Sequence, residues 1–401
     1  MELPRSINHV SQIDIVGHHK LTMIKTDLEG TLSDLVSINS VNPAYELGQP
    51  EEQIQQYVRT FFKAQGFETF IQQVEPHREN VIARLPGRDG VRPIIFEAHC
   101  DTAGVEGMDA PFRPAIRDGR MYGRGTCDTK ACLAGMMWAL VDLKHSGSIP
   151  NYDVWVVSAV DEEHSCRGVL RLRENLRAHA AVVGEPTQMR MAVASKGCLR
   201  ARITIRGRAA HSSRPELGVN AITQMARLLM EMELDNERLI SRKHPLVGSP
   251  TLNVGLIEGG TQVNVVPADC AITFDRRLVP GEDPDAVAAE YYELLERFQT
   301  ANPELRAEME EPMLKDWPLE TAANSPIVRC VGEVLESCGL NPEPYGVPFG
   351  SDASKLAQAD ISTIILGPGN IDDAHAAGEY VELAQLEQAF EVYRKIMTEF
   401  E

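Results

Sequence analysis

The chain has 401 residues, 43% of them hydrophobic and 24% charged, which is typical of a globular protein with more than one domain. Its net charge of −19 argues against nucleic acid and anionic membranes as partners. Because no apolar run approaches the roughly 20 residues of a membrane helix, and residues 1–20 lack the apolar core of a signal peptide, we expect a cytoplasmic protein.

The first 195 residues alternate between helical and strand-like patterns. Apolar residues recur every three or four positions over 23–38 and 51–66, which predicts two helices, the second ending at Gly66. Four apolar runs then predict strands at residues 80–85, 92–98, 153–160 and 180–184. A long helix is predicted over 130–147. This alternation favours an α/β fold with a mixed, largely parallel sheet flanked by helices.

The pattern changes after about Lys196. Residues 198–211 alternate apolar and charged side chains, like a strand with one wet face. A helix, two strands, a second helix and a last strand are then predicted, at 219–234, 251–260, 270–278, 285–301 and 306–311. From about Trp317 the first pattern returns, with elements predicted at 325–339, 362–369 and 383–400. We therefore expect a catalytic domain in two parts, 1–195 and 315–401, and an inserted smaller α+β domain over 196–314.

Acidic and histidine residues follow the predicted strands where these leave the core. The candidate metal ligands are His99 and Asp101 after the second run, Asp161, Glu162 and Glu163 after the third, Glu185 after the fourth, His375 after the run at 362–369, and Asp128 before the long helix. In open α/β sheets, functional sites form at the carboxyl ends of the strands, so these residues are expected to meet. Carboxylates gathered in a cleft repel one another unless a cation neutralises them. Imidazoles with carboxylates suit two divalent ions, with zinc preferred and cobalt or manganese as substitutes.

Five motifs carry a resemblance to a known family. AHCDT, GRGTCDTKACLAG, VDEEH, GEPT and HAAGEYV occur in the order found in the dinuclear-zinc family of acetylornithine deacetylase, succinyl-diaminopimelate desuccinylase, glutamate carboxypeptidase and aminoacylase. The resemblance covers nearly all of the chain after residue 25. It implies that His99 and Glu185 bind one zinc, that Glu163 and His375 bind the other, and that Asp128 bridges both.

The same resemblance implies the remaining catalytic roles. Glu162 resembles the general base, and Asp101 resembles the acid that orients the His99 ring. A cis peptide bond is implied between Asp128 and Thr129. Asp161 has no role in this scheme and is expected to be a loop or capping residue.

Substrate-binding residues are implied in the inserted domain and in a glycine-rich loop. His211 resembles a histidine that reaches the active site of a partner subunit, which implies a homodimer formed through the inserted domain. Asn264 resembles a substrate-binding asparagine, and the register favours Arg277 over Arg276 as the grip on a substrate carboxylate. Gly350 and Ser351 lie in the loop FGSDAS. Where the family often has asparagine, this chain has Gly378, which weakens any inference about substrate contacts there.

The expected function is removal of the acyl group from an N-acyl-L-amino acid, with N-acetylornithine in arginine biosynthesis as the first candidate. Succinyl-diaminopimelate desuccinylase and a dipeptidase or carboxypeptidase are the alternatives within the family. A non-catalytic binding protein and a cysteine hydrolase using Cys100 or Cys127 are alternatives from other classes. All eight cysteines are expected to be reduced and mostly buried.

Overall fold

The computed structural model describes residues 26–401, so His18 and His19, which we expect on the surface, lie outside the described residues. In the first part of the chain the helices are α1 (26–37), α2 (Glu52–Ala64), α3 (Lys130–Ser146) and α4 (Arg167–Leu172). The strands there are β1 (Glu68–Glu75), β2 (Arg78–Leu85), β3 (Asp89–His99), β4 (Ala115–Arg117), β5 (Arg120–Tyr122), β6 (Tyr152–Ala159), β7 (Ala180–Val183) and β8 (Ala192–Ser195).

The middle and last parts of the chain carry the remaining elements. The middle part contains β9 (Gly197–Arg206), β10 (Ala210–His211), α5 (Ala221–Leu239), β11 (Thr251–Gly259), β12 (Val265–Val266), β13 (Asp269–Leu278), α6 (Pro284–Ala301), β14 (Arg306–Met309) and β15 (Leu314–Asp316). The last part contains β16 (Leu319–Glu320), α7 (Pro326–Ser337), β17 (Tyr345–Val347), α8 (Asp352–Ala357), β18 (Ser362–Ile365), β19 (Tyr380–Glu382) and α9 (Leu383–Glu399).

A mixed nine-stranded sheet forms the larger layer. Its order is β1-β2-β6-β3-β7-β18-β8-β16, with β17 also paired to β8. The central strands β6, β3, β7 and β18 are parallel, and antiparallel strands flank them. Their apolar runs are continuous because both faces are covered: Ile94 and Phe96 pack into one core, and Ile95 packs into another. The predicted fold class, a mixed α/β sheet flanked by helices, is confirmed.

Helix α3 lies in the core of this layer. Twelve of its residues are buried, and it ends at Gly147, whose φ of 73° is a left-handed conformation that glycine adopts without strain. Helix α9 packs against it, and a Cβ on Gly135 would lie 3.3 Å from the ring of Tyr393, so a small residue permits this close approach. None of the helices within residues 26–401 is long and apolar enough to span a membrane.

A five-stranded antiparallel sheet forms the smaller layer. Its order is β11-β13-β9-β14, with β15 also paired to β9. Helices α5 and α6 cover one face around a separate apolar core, and the alternating burial along β9 matches the wet-faced strand predicted there. Strand β11 is an edge strand and exposes Leu256 and Ile257. The division into two domains at residues 195 and 314 stays a prediction. Strand β15, which belongs to the smaller sheet, extends to Asp316 and thus past the predicted boundary at residue 314.

Candidate active site and metal centre

Four central strands deliver the predicted ligands to one edge of the large sheet. His99 is the last residue of β3, Glu162 and Glu163 follow β6, and Glu185 follows β7. His375 lies in the loop between β18 and β19, and Asp128 lies just before α3. Because β6, β3, β7 and β18 are parallel neighbours, their carboxyl ends share this edge.

The Asp128 carboxylate lies between two histidines. Its Oδ1 is 3.0 Å from Nε2 of His99, and its Oδ2 is 3.1 Å from Nε2 of His375. Ligand atoms of His99, Glu162 and Glu185 all lie within 4.8 Å of one another, as do those of Asp128, Glu163 and His375. The structure therefore brings all five predicted ligands together in two groups that adjoin at Asp128.

The two groups differ in depth. The side chain of His99 is 1% exposed, whereas that of His375 is 54% exposed. In the outer group, Oε2 of Glu163 is 3.1 Å from Nε2 of His375, and Oε1 of Glu163 accepts a hydrogen bond from the backbone N–H of Ala103 at 2.8 Å. The site is thus a cleft with one histidine at its base and the other at its mouth.

The charges of this cluster favour bound protons or a bound cation. Hydrogen bonds to Asp128 and Glu163 raise the pKa of His375 to about 11. Burial raises the pKa of Glu185 well above its ordinary value, and the nearby carboxylates of Asp128 and Glu162 act in the same direction. Burial likewise raises the pKa of Glu162 to about 8, against the opposing effect of His99. Imidazole and carboxylate groups in this arrangement fit divalent cations such as zinc, cobalt or manganese.

Asp101 organises the turn that carries the two glutamates. Its Oδ1 accepts from the backbone N–H of Glu162 at 3.1 Å, and its Oδ2 accepts from that of Glu163 at 3.2 Å. Nδ1 of His99 is 3.0 Å from the backbone oxygen of Asp101 and 3.6 Å from its Oδ1. The ring is therefore oriented chiefly by the backbone carbonyl, while the Asp101 carboxylate holds the turn.

Glu379 is a site residue that the sequence reasoning missed. It is buried, and its Oε1 accepts from the backbone N–H groups of Cys127 at 2.8 Å and Asp128 at 3.1 Å. Its other oxygen pairs with the buried Arg124. The implied cis peptide bond between Asp128 and Thr129 is present. The sequence signal for Glu379 is the acid in HAAGEYV, next to Gly378.

Asp161 lies in the loop after β6, as expected from the sequence, but it is buried rather than solvated. It is 1% exposed, and its Oδ1 lies 2.7 Å from Nη2 of Arg78 and 3.0 Å from Nδ2 of Asn42. Its φ of 70° turns the chain sharply out of β6, so that the two following glutamates face the cleft. The sequence does not reveal these partners because they come from segments far away in the chain.

Three of the predicted substrate-binding residues make no contact with the predicted metal ligands in the part of the chain that the structure describes. His211 and Asn264 are exposed; Nδ1 of His211 is 2.7 Å from Oγ of Ser213, and the backbone oxygen of Asn264 accepts from the N–H of Ser212. Nε of Arg277 donates to Asp275 at 2.8 Å. No contact among residues 26–401 joins these three side chains to a predicted metal ligand.

The glycine-rich loop lies against the back of the cleft. Ser351 is fully buried, and its Oγ accepts from the backbone N–H of Ala353, so the hydroxyl caps α8. Gly350 faces Asp316 so closely that a Cβ would overlap Oδ2 of that carboxylate. Asp352, the next residue in the loop, places a carboxylate oxygen within 4.8 Å of Glu162.

Comparison with known proteins identifies the family of the chain that carries this site. The sequence profile of "Peptidase family M20/M25/M40" matches residues 95–399. The chain belongs to this family. An acetylornithine deacetylase of Myxococcus xanthus is 28% identical over 389 residues, which cover 93% of this chain and 97% of that protein. The predicted family, and the predicted class of enzyme, a hydrolase of amide bonds, are confirmed.

Two solved structures of similar fold extend the M20 comparison. The aminopeptidase PepT of Bacillus cereus ATCC 10987 is 26% identical, with a TM-score of 0.76, over 93% of this chain and 98% of that chain. The YXEP protein of Bacillus subtilis, described as a dinuclear metal binding peptidase, is 16% identical, with a TM-score of 0.70, over 94% of this chain and 98% of that chain. The proteins that this chain resembles thus include some named as peptidases and some named as deacetylases.

Proposed function

We propose that this M20 hydrolase uses two divalent cations to remove the acyl group from an N-acyl-L-amino acid, with N-acetylornithine as the first substrate to test. One observation carries the proposal: the Asp128 carboxylate spans the two histidines, and Glu162 extends into the same cleft. The similarity to acetylornithine deacetylases along 93% of the chain supports this substrate class. A cytoplasmic location and a role in arginine biosynthesis are part of this proposal, and the second depends on N-acetylornithine being the substrate.

The donor set fits two cations, for which zinc is our first candidate. His99 and Glu185 would hold one, Glu163 and His375 would hold the other, and Asp128 would bridge them. When bound, such ions polarise a substrate carbonyl and make water a stronger acid. The YXEP protein, which is described as binding a dinuclear metal, shares this fold.

Glu162 is the proposed general base. Glu163 is fixed by His375 and by the backbone N–H of Ala103, whereas Glu162 stays 4.0 Å from Nε2 of His99. A carboxylate beside the attacking water can accept its proton and return it to the leaving amine. Burial raises the pKa of Glu162 to about 8 in the metal-free protein, and bound cations would lower it. Asp101 serves this role indirectly by holding the turn.

Substrate recognition is proposed to involve a second subunit. His211, Asn264 and Arg277 lie in the smaller layer, apart from the metal ligands of their own chain. Strand β11 presents the unpaired edge of this layer and exposes Leu256 at 67% and Ile257 at 59%, which is a surface suited to a homodimer. In a dimer, His211 would stabilise the oxyanion at the partner's cleft, and Arg277 would bind the substrate carboxylate.

A peptidase is the second candidate, and the similarity to PepT favours it. The cation chemistry would be the same, because a peptide bond is also an amide. The cysteine hydrolase is disfavoured, since burial raises the pKa of Cys100 and Cys127 and neither thiol is activated. The non-catalytic alternative is disfavoured because the base and all five ligands are present.

The decisive experiment is a substrate panel with the zinc- or cobalt-loaded protein. N-acetylornithine, other N-acetyl, N-succinyl and N-formyl amino acids, dipeptides and tripeptides should be compared with and without a chelator. We expect chelator-sensitive release of amine from an N-acyl amino acid. Cleavage of peptides alone would replace the deacylase by the peptidase, and activity that survives chelation would refute the two-cation mechanism.

The dimer is tested at the edge of β11. Leu256→Asp should produce a monomer by analytical ultracentrifugation and should reduce activity, because His211 then has no partner cleft. Val91→Asp is the matched control, since Val91 is also an exposed aliphatic residue on a strand, at 81% exposure. A native protein that sediments as a fully active monomer would contradict the proposal.

A further inference from the structure

The amide of Asn42 lies between two buried carboxylates behind the candidate metal centre. Its Nδ2 donates to Oδ2 of Asp101 at 2.8 Å and to Oδ1 of Asp161 at 3.0 Å. All three residues are at most 1% exposed. Two buried carboxylates repel each other, and a donor placed between them reduces that cost. Both amide protons of Asn42 are therefore used to hold these acids in place.

The far side of this arrangement is fixed by a buried ion pair. Oδ1 of Asp161 also accepts from Nη2 of Arg78 at 2.7 Å. Arg78 in turn forms a bidentate pair with Glu51, at 2.7 and 2.6 Å, and its side chain is 7% exposed. A two-pronged contact of this kind restrains both position and orientation. Asp161 therefore has a fixed place against which Asn42 can be held.

On the side that faces the metal centre, Asp101 connects Asn42 to the proposed ligands and to the general base. Asp101, held by Asn42, accepts the backbone N–H groups of Glu162 and Glu163. The backbone carbonyl of the same residue contacts Nδ1 of His99 at 3.0 Å. Asn42 is anchored as well, because its backbone N–H donates to the carbonyl of Thr102 at 2.9 Å. A displacement of Asn42 would thus be transmitted to one ligand of each group and to the base.

We propose that Asn42 is a positioning residue of the metal centre, which acts through Asp101 on His99 and on the Glu162–Glu163 turn. The inference rests on the proposed two-cation function. Groups that orient metal ligands typically contribute 10- to 100-fold to metal affinity or activity. Asn42 therefore matters for cation affinity and turnover as well as for stability.

A matched control exists in Asn80. It is also fully buried; its Nδ2 donates twice, to Gln72 at 2.9 Å and to the Gly168 carbonyl at 2.8 Å, and its Oδ1 accepts from the backbone N–H of Val160 at 3.2 Å. None of these partners is a predicted metal ligand. Asn42→Ala and Asn80→Ala therefore each remove two donated hydrogen bonds from a buried site, but Asn42 donates to two carboxylates and Asn80 donates to neutral oxygens.

The test compares the two variants as metal-free and cobalt-loaded proteins. Titration calorimetry would give the affinity for Co²⁺, and thermal denaturation would give the rise in Tm on adding Co²⁺. Both variants should lower the Tm of the metal-free protein. Only Asn42→Ala should weaken Co²⁺ binding, by about 10- to 100-fold, and reduce the cobalt-dependent rise in Tm. Where a substrate is turned over, kcat should fall with little change in KM.

Equal Co²⁺ affinities in the two variants would overturn the proposal and leave Asn42 a purely structural role. Should Asn42→Ala fail to fold, Asn42→Ser retains one donor and should show a smaller loss in the same direction; unchanged affinity in that variant also overturns the proposal. Cation affinity does not depend on the substrate. Failure of the native protein to hydrolyse any N-acyl amino acid would refute the proposed function without deciding the role of Asn42.

Discussion

The carboxylate of Glu379 accepts the backbone N–H of Asp128 at 3.1 Å, so an acid from the end of the chain fixes the residue that lies between the two histidines. Glu379→Ala would leave two buried N–H groups and the buried guanidinium of Arg124 without this acceptor. We expect a loss of about 3–5 kcal/mol in the free energy of unfolding, and a 10- to 100-fold loss of cobalt affinity. Urea denaturation and titration calorimetry measure the two effects.

The control for Glu379 is Glu382→Ala, three residues further along the chain at the end of β19. Glu382 pairs with Arg120 at 3.1 Å, but the side chains of Arg120 and Glu382 are 40% and 44% exposed, so the expected change is about 0–1 kcal/mol with normal cobalt affinity. Similar losses in the two variants would show that the position of Asp128 does not depend on Glu379.

Substitutions of the adjacent Glu162 and Glu163 should distinguish the general base from a metal ligand. Glu162→Gln should keep its bound cobalt and lose about 10²- to 10⁴-fold in kcat, because the proton acceptor is removed. Glu163→Gln should lose cobalt from the outer group, because Glu163 faces His375 directly. Metal analysis by mass spectrometry, together with steady-state kinetics, distinguishes the two variants. Cobalt loss in Glu162→Gln would mean that Glu162 binds the cation with His99 and Glu185.

Cation binding should strengthen as the pH rises from about 6 to 9. Neighbouring carboxylates raise the pKa of His375 to about 11, so the metal-free protein carries this proton at neutral pH. A cation binds imidazole only in its deprotonated form and must displace the proton. Calorimetry in buffers of different ionisation enthalpy should show proton release, and His375→Ala should reduce it. A cobalt affinity independent of pH would contradict this expectation.

The stability of the metal-free protein should change with pH in the opposite direction. Protonated His375 is stabilised by Asp128 and Glu163, so its folded pKa lies above the ordinary value of 6.5. That contribution is complete below about pH 6.5 and is lost as the pH rises towards about 11. Thermal denaturation of the apo protein, compared with apo His375→Ala, should show the difference between them shrinking with pH.

Gly350→Ala should destabilise the loop behind the cleft. The new Cβ would overlap Oδ2 of Asp316, and that carboxylate is held by Lys355 at 2.8 Å and by Oγ of Ser354 at 3.0 Å, so it cannot easily move away. We expect a loss of about 1–3 kcal/mol in the free energy of unfolding. Gly378→Ala, which meets no atom within 4 Å, should stay within about 0.5 kcal/mol in the same urea titration.

The sequence predicted the central strands and the ligands for the same reason. Strands buried on both faces are continuous apolar runs, and residues at their ends are easy to locate against them. Strand β1 was missed because its segment, ETFIQQVE, is polar and largely exposed beside β2 at the edge of the sheet. Pattern alone does not separate such a strand from a loop.

The residues that support the ligands could not be read from the chain. Asn42, Arg78 and Glu379 act through contacts with segments distant in sequence, and nothing local marks a buried amide or guanidinium. Asp161 shows the same limit, since an acid after a strand is ordinarily solvated. The metal ligands were identifiable only because several such acids and histidines coincide at one sheet edge and because their motifs resemble a family.

The order of the proposed ligands along the chain determines when each group can be completed during synthesis. The outer ligand group requires His375, which is translated after every other proposed ligand, and α9, which packs onto α3, follows later still. A nascent chain on the ribosome would expose Asp128, Glu163 and Glu185 without the second imidazole. If two cations bind as proposed, the outer one could be held only after His375 has been synthesised, and a chain terminated before residue 375 would lack a ligand of the outer group.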